Sequence, residues 1–186
     1  MGGSLEYEEI IDNIHNRPKH EKIQNFVETG KYHADTTIMA SKHFKNVYTT
    51  EIVPKLYEDS KTRAEKENIS NITFLLGDSV KLLSEIMPKV LDGAVFFIDA
   101  HQSGGDTSNN GKNVPLLEEL DVILSFNLKA SLFIIDDLRF WKQGTWDWAH
   151  VSNDEIVNRF KKNGFPVLAY YEENDRFFVV ADDKKV

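Results

Sequence analysis

Six acidic side chains stand just behind short apolar runs: Glu28, Glu51, Asp78, Asp99 and the pair Asp136-Asp137. One acid in such a place is common as a helix cap, and six are not. Carboxylates brought together can accept hydroxyl hydrogens, attract an ammonium group, hold a hard divalent cation or take a proton as general base. His101, two residues beyond Asp99, adds a group that titrates near neutrality and is a competent base. The bland readings are equally concrete. Glu28 and Asp78 could cap helices, Asp136 could accept backbone amides, Asp137 could pair with Arg139, and His101 could be a surface loop histidine.

What positions these acids is an alternation of short apolar runs with longer segments of helical period, the pattern of βα units around a mostly parallel sheet. Strands are expected near Ile23–Glu28, Asn46–Glu51, Ile72–Gly77, Gly93–Asp99, Ala130–Asp136, Val167–Tyr171 and Arg176–Ala181. Helices are expected over Leu5–Ile14, stopped by Pro18, and over Thr36–Lys45, Pro54–Glu67, Asp78–Leu91, Val114–Leu124 and Asp154–Asn163. No helix separates the last two strands, so the polar turn Glu172-Glu173-Asn174-Asp175 should close an antiparallel hairpin at one end of the sheet. In an open α/β sheet ligands collect beyond the carboxyl ends of the strands, which is where the acids fall.

The composition narrows the options. The 186 residues suit one domain, expected over residues 5–186, with Met1-Gly2-Gly3-Ser4 resembling an expression scar. Hydrophobic residues make up 41% and aromatic residues 11%, enough for a core, yet no apolar run nears the roughly 18 residues of a membrane span. A soluble protein, cytoplasmic or otherwise intracellular, is expected. Without cysteine, a metal would need Asp, Glu or His. The net charge of -8 disfavours nucleic acid and anionic membranes and favours a small-molecule or glycan acceptor. A homo-oligomer, or a place within a larger multidomain protein, is compatible with this surface.

The stretch "FVETGKYHADTT", Phe26 to Thr37, raises the question of ligand. A dinucleotide loop brings backbone amides to a pyrophosphate through a G-x-G-x-x-G pattern, and here only Gly30 bends freely. Glu28 would repel phosphate and attract an ammonium. S-adenosylmethionine has an α-ammonium, a sulfonium and a ribose diol but no phosphate, and the loop suits it. Glu28, Thr29, Gly30 and Thr36 are the candidate contacts from this loop; Glu51 and Ile52 would meet the ribose, and Asp78 with Ser79 the adenine edge.

Taken in order, "FVETGKYHADTT", "VYTTEI", "LLGDS", "FFIDAHQSGGDT" and "LFIIDDLRFW", then the closing hairpin, resemble the class I S-adenosylmethionine-dependent methyltransferases from about Ile23 onward. The resemblance implies a Rossmann-like fold: seven mostly parallel strands, a C-terminal antiparallel hairpin and helices on both faces. Within that superfamily the strand-four and strand-five acids are similar to those of metal-dependent O-methyltransferases, including catechol and sugar enzymes. By that likeness Asp99, Asp136 and Asp137 would hold Mg2+ or Mn2+ against the acceptor hydroxyls, and Asp99 would also border the cofactor. The sugar enzymes carry an acidic base where this chain has His101. The expectation is therefore O-methylation of a sugar, for example a deoxyhexose such as rhamnose, or of a related small molecule, with His101, Asp99 and Asp137 as catalytic candidates. A metal-independent enzyme with His101 as base, a non-catalytic binding module and a dinucleotide oxidoreductase stand as alternatives.

Two further segments bear on the acceptor. His101–Asn113 carries Gly104, Gly105 and Gly111 and could close over the site, bringing Ser103, Asp106 or Thr107. Phe140, Trp141, Trp146 and Trp148 could line a sugar-stacking rim, or equally form a buried apolar cluster.

Overall fold

The computed structural model describes residues 4–99, 114–144 and 146–185. Strands β1 (Asn25–Thr29), β2 (Asn46–Glu51), β3 (Ile72–Leu76), β4 (Ala94–Ile98) and β5 (Ser131–Ile135) run parallel, and β6 (Val167–Glu173) with β7 (Arg176–Ala181) adds the antiparallel hairpin. The order across the sheet is β3-β2-β1-β4-β5-β7-β6. The order reverses between β1 and β4, which makes the crevice above their carboxyl ends the natural ligand site. Every residue of β1, β4, β5 and β7 is buried, and β4 and β5 read as nearly continuous apolar runs, as strands covered on both faces do.

Side chains alternate between two covered faces. Phe26, Val95, Ile134 and Phe178 point to the face closed by Leu5, α1 (Tyr7–Ile14) and α2 (Asp35–Ser41). Val27, Phe96, Phe133 and Phe177 point to the face closed by α4 (Ser79–Ile86), α5 (Leu116–Ser125) and α7 (Asn153–Lys162). The Phe96 and Phe133 rings stack at 4.8 Å in the centre of the second face. Burying each such side chain stabilises by roughly 1.5–3 kcal/mol. Helix α3 (Pro54–Lys66) begins on Pro54, whose fixed φ and missing N–H suit a first helical position, and buries Leu56, Ser60 and Ala64.

Differences from the expected elements have local causes. Helix α4 stops at Ile86, and the 3-10 turn Met87–Lys89 follows, because Pro88 cannot donate into a continuing helix. Helix α6 (Leu138–Gln143) was not expected; it starts from Asp137 at φ 66 and ends on Gly144 at φ 66. It carries Trp141 inward, with Nε1 donating to Asn153 Oδ1 at 2.9 Å, and Trp148 stacks on Trp141 and Phe140 at 5.5 and 5.7 Å. Trp141 and Trp148 are both buried and belong to the core. Asn174 and Asp175 form the hairpin turn, with φ of 50 and 65. No helix among the described residues is long and apolar enough to cross a membrane.

Candidate functional site

The loop after β1 turns with one glycine and two strained residues: Gly30, Tyr32 and Ala34 have φ of 75, 44 and 66. Lys31 holds that geometry. Its Nζ donates to the Leu56 carbonyl at 2.8 Å and to Ser60 Oγ at 2.7 Å on α3, and its backbone N–H donates to the Thr50 carbonyl at 3.3 Å. Lys31 is buried, and burial draws its ammonium down to about 8 against the pull of Glu51 and Glu28. Sequence reading passed over this lysine. Its one signal was a cation inside an otherwise acidic loop.

The carboxyl-end acids divide by strand parity. Glu28, Glu51, Asp99 and Asp136 belong to the face covered by α1 and α2. Glu28 is 2% exposed and accepts hydrogen bonds from the hydroxyls of Thr37, on α2, and Thr49, on β2. Burial pushes its carboxyl up to about 7, opposed by Thr37 and reinforced by the charge of Asp99. Thr36, a cofactor candidate by sequence, accepts from the Leu5 backbone N–H at 3.2 Å and so anchors the N-terminal segment. Glu51 Oε1 caps the following turn by accepting from Val53 N–H at 2.9 Å, which leaves Ile52 half-buried at the bend. Asp99 donates its backbone N–H to the Thr29 carbonyl at 3.2 Å, tying the ends of β1 and β4 together.

Asp136 and Asp137 take up the alternative roles weighed for them. Asp136 Oδ1 accepts from the Asp137 backbone N–H at 2.9 Å and lies 3.5 Å from Arg176 Nε. Burial pushes its carboxyl up to about 7, with Asp99 adding to the effect and Arg176 opposing it. Asp137 Oδ1 meets Arg139 Nη2 at 2.5 Å, and Arg139 also binds Asp175 in the hairpin turn. Leu138 N–H donates to the Asp175 carbonyl at 2.9 Å, so the hairpin tip sets the conformation after β5. These donors do not fit the expected magnesium or manganese site. Among the described residues no group of three or more His, Asp or Glu side chains is arranged to hold a metal ion. Of the expected set of Asp99, Asp136 and Asp137, the last two face the Arg176 and Arg139 guanidinium groups, which offset part of their charge.

On the opposite face, Thr29 Oγ1 donates to Glu119 Oε2 at 3.4 Å while accepting from the Asp99 backbone N–H at 3.3 Å. Glu119 lies on α5 with no exposed surface, and Ser79, the first residue of α4, also hydrogen-bonds to it. Asp78 caps α4, accepting from Val80 N–H at 3.0 Å. Glu119 was missed by sequence reading. The charge of Asp99 adds to the raised pKa of Glu28, Asp136 and Glu119 alike, after burial. His101, Ser103, Asp106 and Thr107 lie outside the described residues.

Comparison with known proteins identifies the architecture. No family model matches the chain. A methyltransferase from Clostridium acetobutylicum, described as S-adenosylmethionine-dependent, superposes with a TM-score of 0.65 at 10% identity, covering 97% of this chain and 93% of that one. The O-methyltransferase TomG from Streptomyces achromogenes, solved with S-adenosylmethionine, gives 0.62 at 11% identity, covering 97% and 82%. The chain has the class I methyltransferase fold. An O-methyltransferase from Bacillus cereus, solved with S-adenosylhomocysteine, gives 0.59 at 14% identity over 89% and 76%. In sequence, an uncharacterised RNA methyltransferase from Clostridium tetani is 29% identical over 72 residues, or 39% of this chain and 16% of the relative. Another from Oceanobacillus iheyensis is 25% identical over 115 residues, or 62% of this chain and 24% of the relative. The chain thus spans less than a quarter of the length of either relative.

Proposed function

We propose that the chain is an S-adenosylmethionine-dependent O-methyltransferase acting on a hydroxyl of a sugar or related small molecule, by a route that does not need a metal held by Asp136 and Asp137. The carrying observation is the set of buried carboxyls Glu28, Asp136 and Glu119 about the β1–β4 crevice, raised to about 7 to 8 chiefly by burial, with the charge of Asp99 adding to each. A cofactor bearing an ammonium and a sulfonium suits such an acidic surrounding, and a pyrophosphate does not. When bound, the cofactor supplies an electrophilic methyl group. The chain's part is to fix the β1 loop through Lys31, to receive the ribose diol at Glu51, and to take the acceptor proton. His101 is the candidate base on sequence grounds.

The names of the two sequence relatives favour RNA as a second acceptor class. Against it stands a net charge of -8, which opposes the phosphate contacts that dominate RNA affinity. The test is a methyl-transfer assay with labelled S-adenosylmethionine against a panel of glycans, small alcohols and RNA. Calorimetry with S-adenosylhomocysteine and with a nicotinamide dinucleotide runs beside it. Binding of the dinucleotide alone would end the reading, and transfer to RNA alone would replace its acceptor.

A further inference from the structure

Glu119 is a carboxyl set wholly inside the protein, at the junction of α5 with the end of β1 and the start of α4. Its neighbours Leu116, Leu120 and Ile123 belong to the core, so a leucine would satisfy packing alone. Instead the side chain receives the Thr29 and Ser79 hydroxyls, two groups nominated independently as cofactor contacts. Its Oε1 has no hydrogen-bond partner among the described residues, and neither has Thr50 Oγ1, whose residue pairs with Thr29 across β1 and β2. Burying two such atoms without a partner from the described residues is costly at a site that serves packing only.

We propose that Glu119 is a positioning residue of the donor site: through Thr29 and Ser79 it holds the end of β1 and the start of α4 at the separation the adenosine part of the cofactor requires. The inference rests on the methyl-donor reading given above. Burial keeps the carboxyl largely protonated, with Asp78 and Asp99 as neighbouring charges, so it can donate as well as accept. A glutamine has the same reach and the same mixed hydrogen bonding. A leucine has neither, and an aspartate falls one methylene short of the two hydroxyls.

The experiment is calorimetric titration of the full chain and of E119Q, E119D and E119L with S-adenosylhomocysteine, with a thermal melt of each. E119L and E119D are expected to weaken binding by about tenfold or more, and E119Q to stay within about threefold of the unaltered chain. The melts should not follow that order, since E119L removes a buried polar group at little cost in packing. Binding by E119D and E119L within about twofold of the unaltered chain overturns the inference. If E119L does not fold, E119D decides in the same way, because it keeps the buried acid and withdraws only its reach. If the unaltered chain does not bind S-adenosylhomocysteine, the methyl-donor reading itself fails, which is a different outcome from binding that ignores position 119.

Discussion

Arg176 Nε stands 3.5 Å from Asp136 Oδ1, while Nη1 of the same guanidinium reaches both carboxylate oxygens of Glu9 at 2.7 and 2.8 Å. The first residue of β7 thereby joins the end of β5 to the N-terminal helix. Arg176 is only 3% exposed, so water does little to screen either pairing. Removing one partner of such an ion pair leaves the other charge buried and uncompensated. Arg176→Gln should lower the unfolding free energy by about 3–5 kcal/mol, measured by urea denaturation near neutral pH. A loss below about 1 kcal/mol would reduce the bridge to the standing of a surface pair.

The raised carboxyls make stability depend on pH. Glu28 moves from 4.5 to about 7 on folding and Glu119 from 4.5 to about 8. Between those values the folded chain holds protons that the unfolded chain has released, so stability is full below about 4.5 and declines as pH rises through 7 and 8. The melting temperature should fall from pH 5 toward pH 8, and Glu28→Gln should flatten part of that slope. The same groups predict a proton effect on ligand binding. If the cofactor's ammonium lies near Glu28, binding lowers that pKa and releases protons near pH 7. Calorimetry with S-adenosylhomocysteine in buffers of different ionisation enthalpy reads the number released, and an enthalpy independent of buffer would separate Glu28 from the ligand.

Lys31 predicts a division between stability and binding. Its ammonium fastens the strained Gly30–Ala34 turn to α3 through Leu56 and Ser60. Lys31→Met keeps the stem packed and removes the two hydrogen bonds. Donor affinity should drop by about tenfold while the melting temperature changes little, because burying the charge was itself costly. Equal affinity in K31M would show that the loop holds its shape without the lysine.

How far the sequence disclosed all this follows from the kind of signal each feature carries. Strands β4, β5 and β7 were legible because burial on both faces leaves a nearly unbroken apolar run, and Asp99 and Asp136 were legible because they end such a run. Helix α6 was not, since its start has Asp137 at φ 66 with the next residue, Leu138, held by the Asp175 carbonyl, a contact made across 37 residues. The roles of Asp136 and Asp137 stayed open for the same reason, because their partners Arg176 and Arg139 are identified only by the fold. Glu119 is one of three acids in "LLEELD", with Glu118 and Asp121, and nothing in its residue type sets it apart. Its spacing of three from Leu116 and four from Ile123 puts it at the edge of the apolar face, whereas Glu118 falls on the opposite side. That helical spacing was the available signal. Thr37, on Glu28, was hidden behind its neighbour Thr36, because adjacent helical residues point to different surroundings.

The last prediction concerns the metal. A divalent ion at the β5 end would have to draw Asp137 away from Arg139, at 2.5 Å, and Asp136 away from Arg176, each cation being anchored by a second acid, Asp175 or Glu9. Displacing either guanidinium would strand its charge beside the remaining acid. Methyl transfer should therefore proceed in EDTA, and added magnesium or manganese should change the rate by less than about twofold. Asp137→Asn should cost stability through the loss of its pairing with Arg139, and that loss should appear equally with and without EDTA. His101→Ala should lower kcat with S-adenosylhomocysteine affinity unchanged, since a base acts in the chemical step. Activity lost in EDTA and restored by magnesium would instead show that these ion pairs open in the working enzyme, and would return Asp99, Asp136 and Asp137 to the role of ligands.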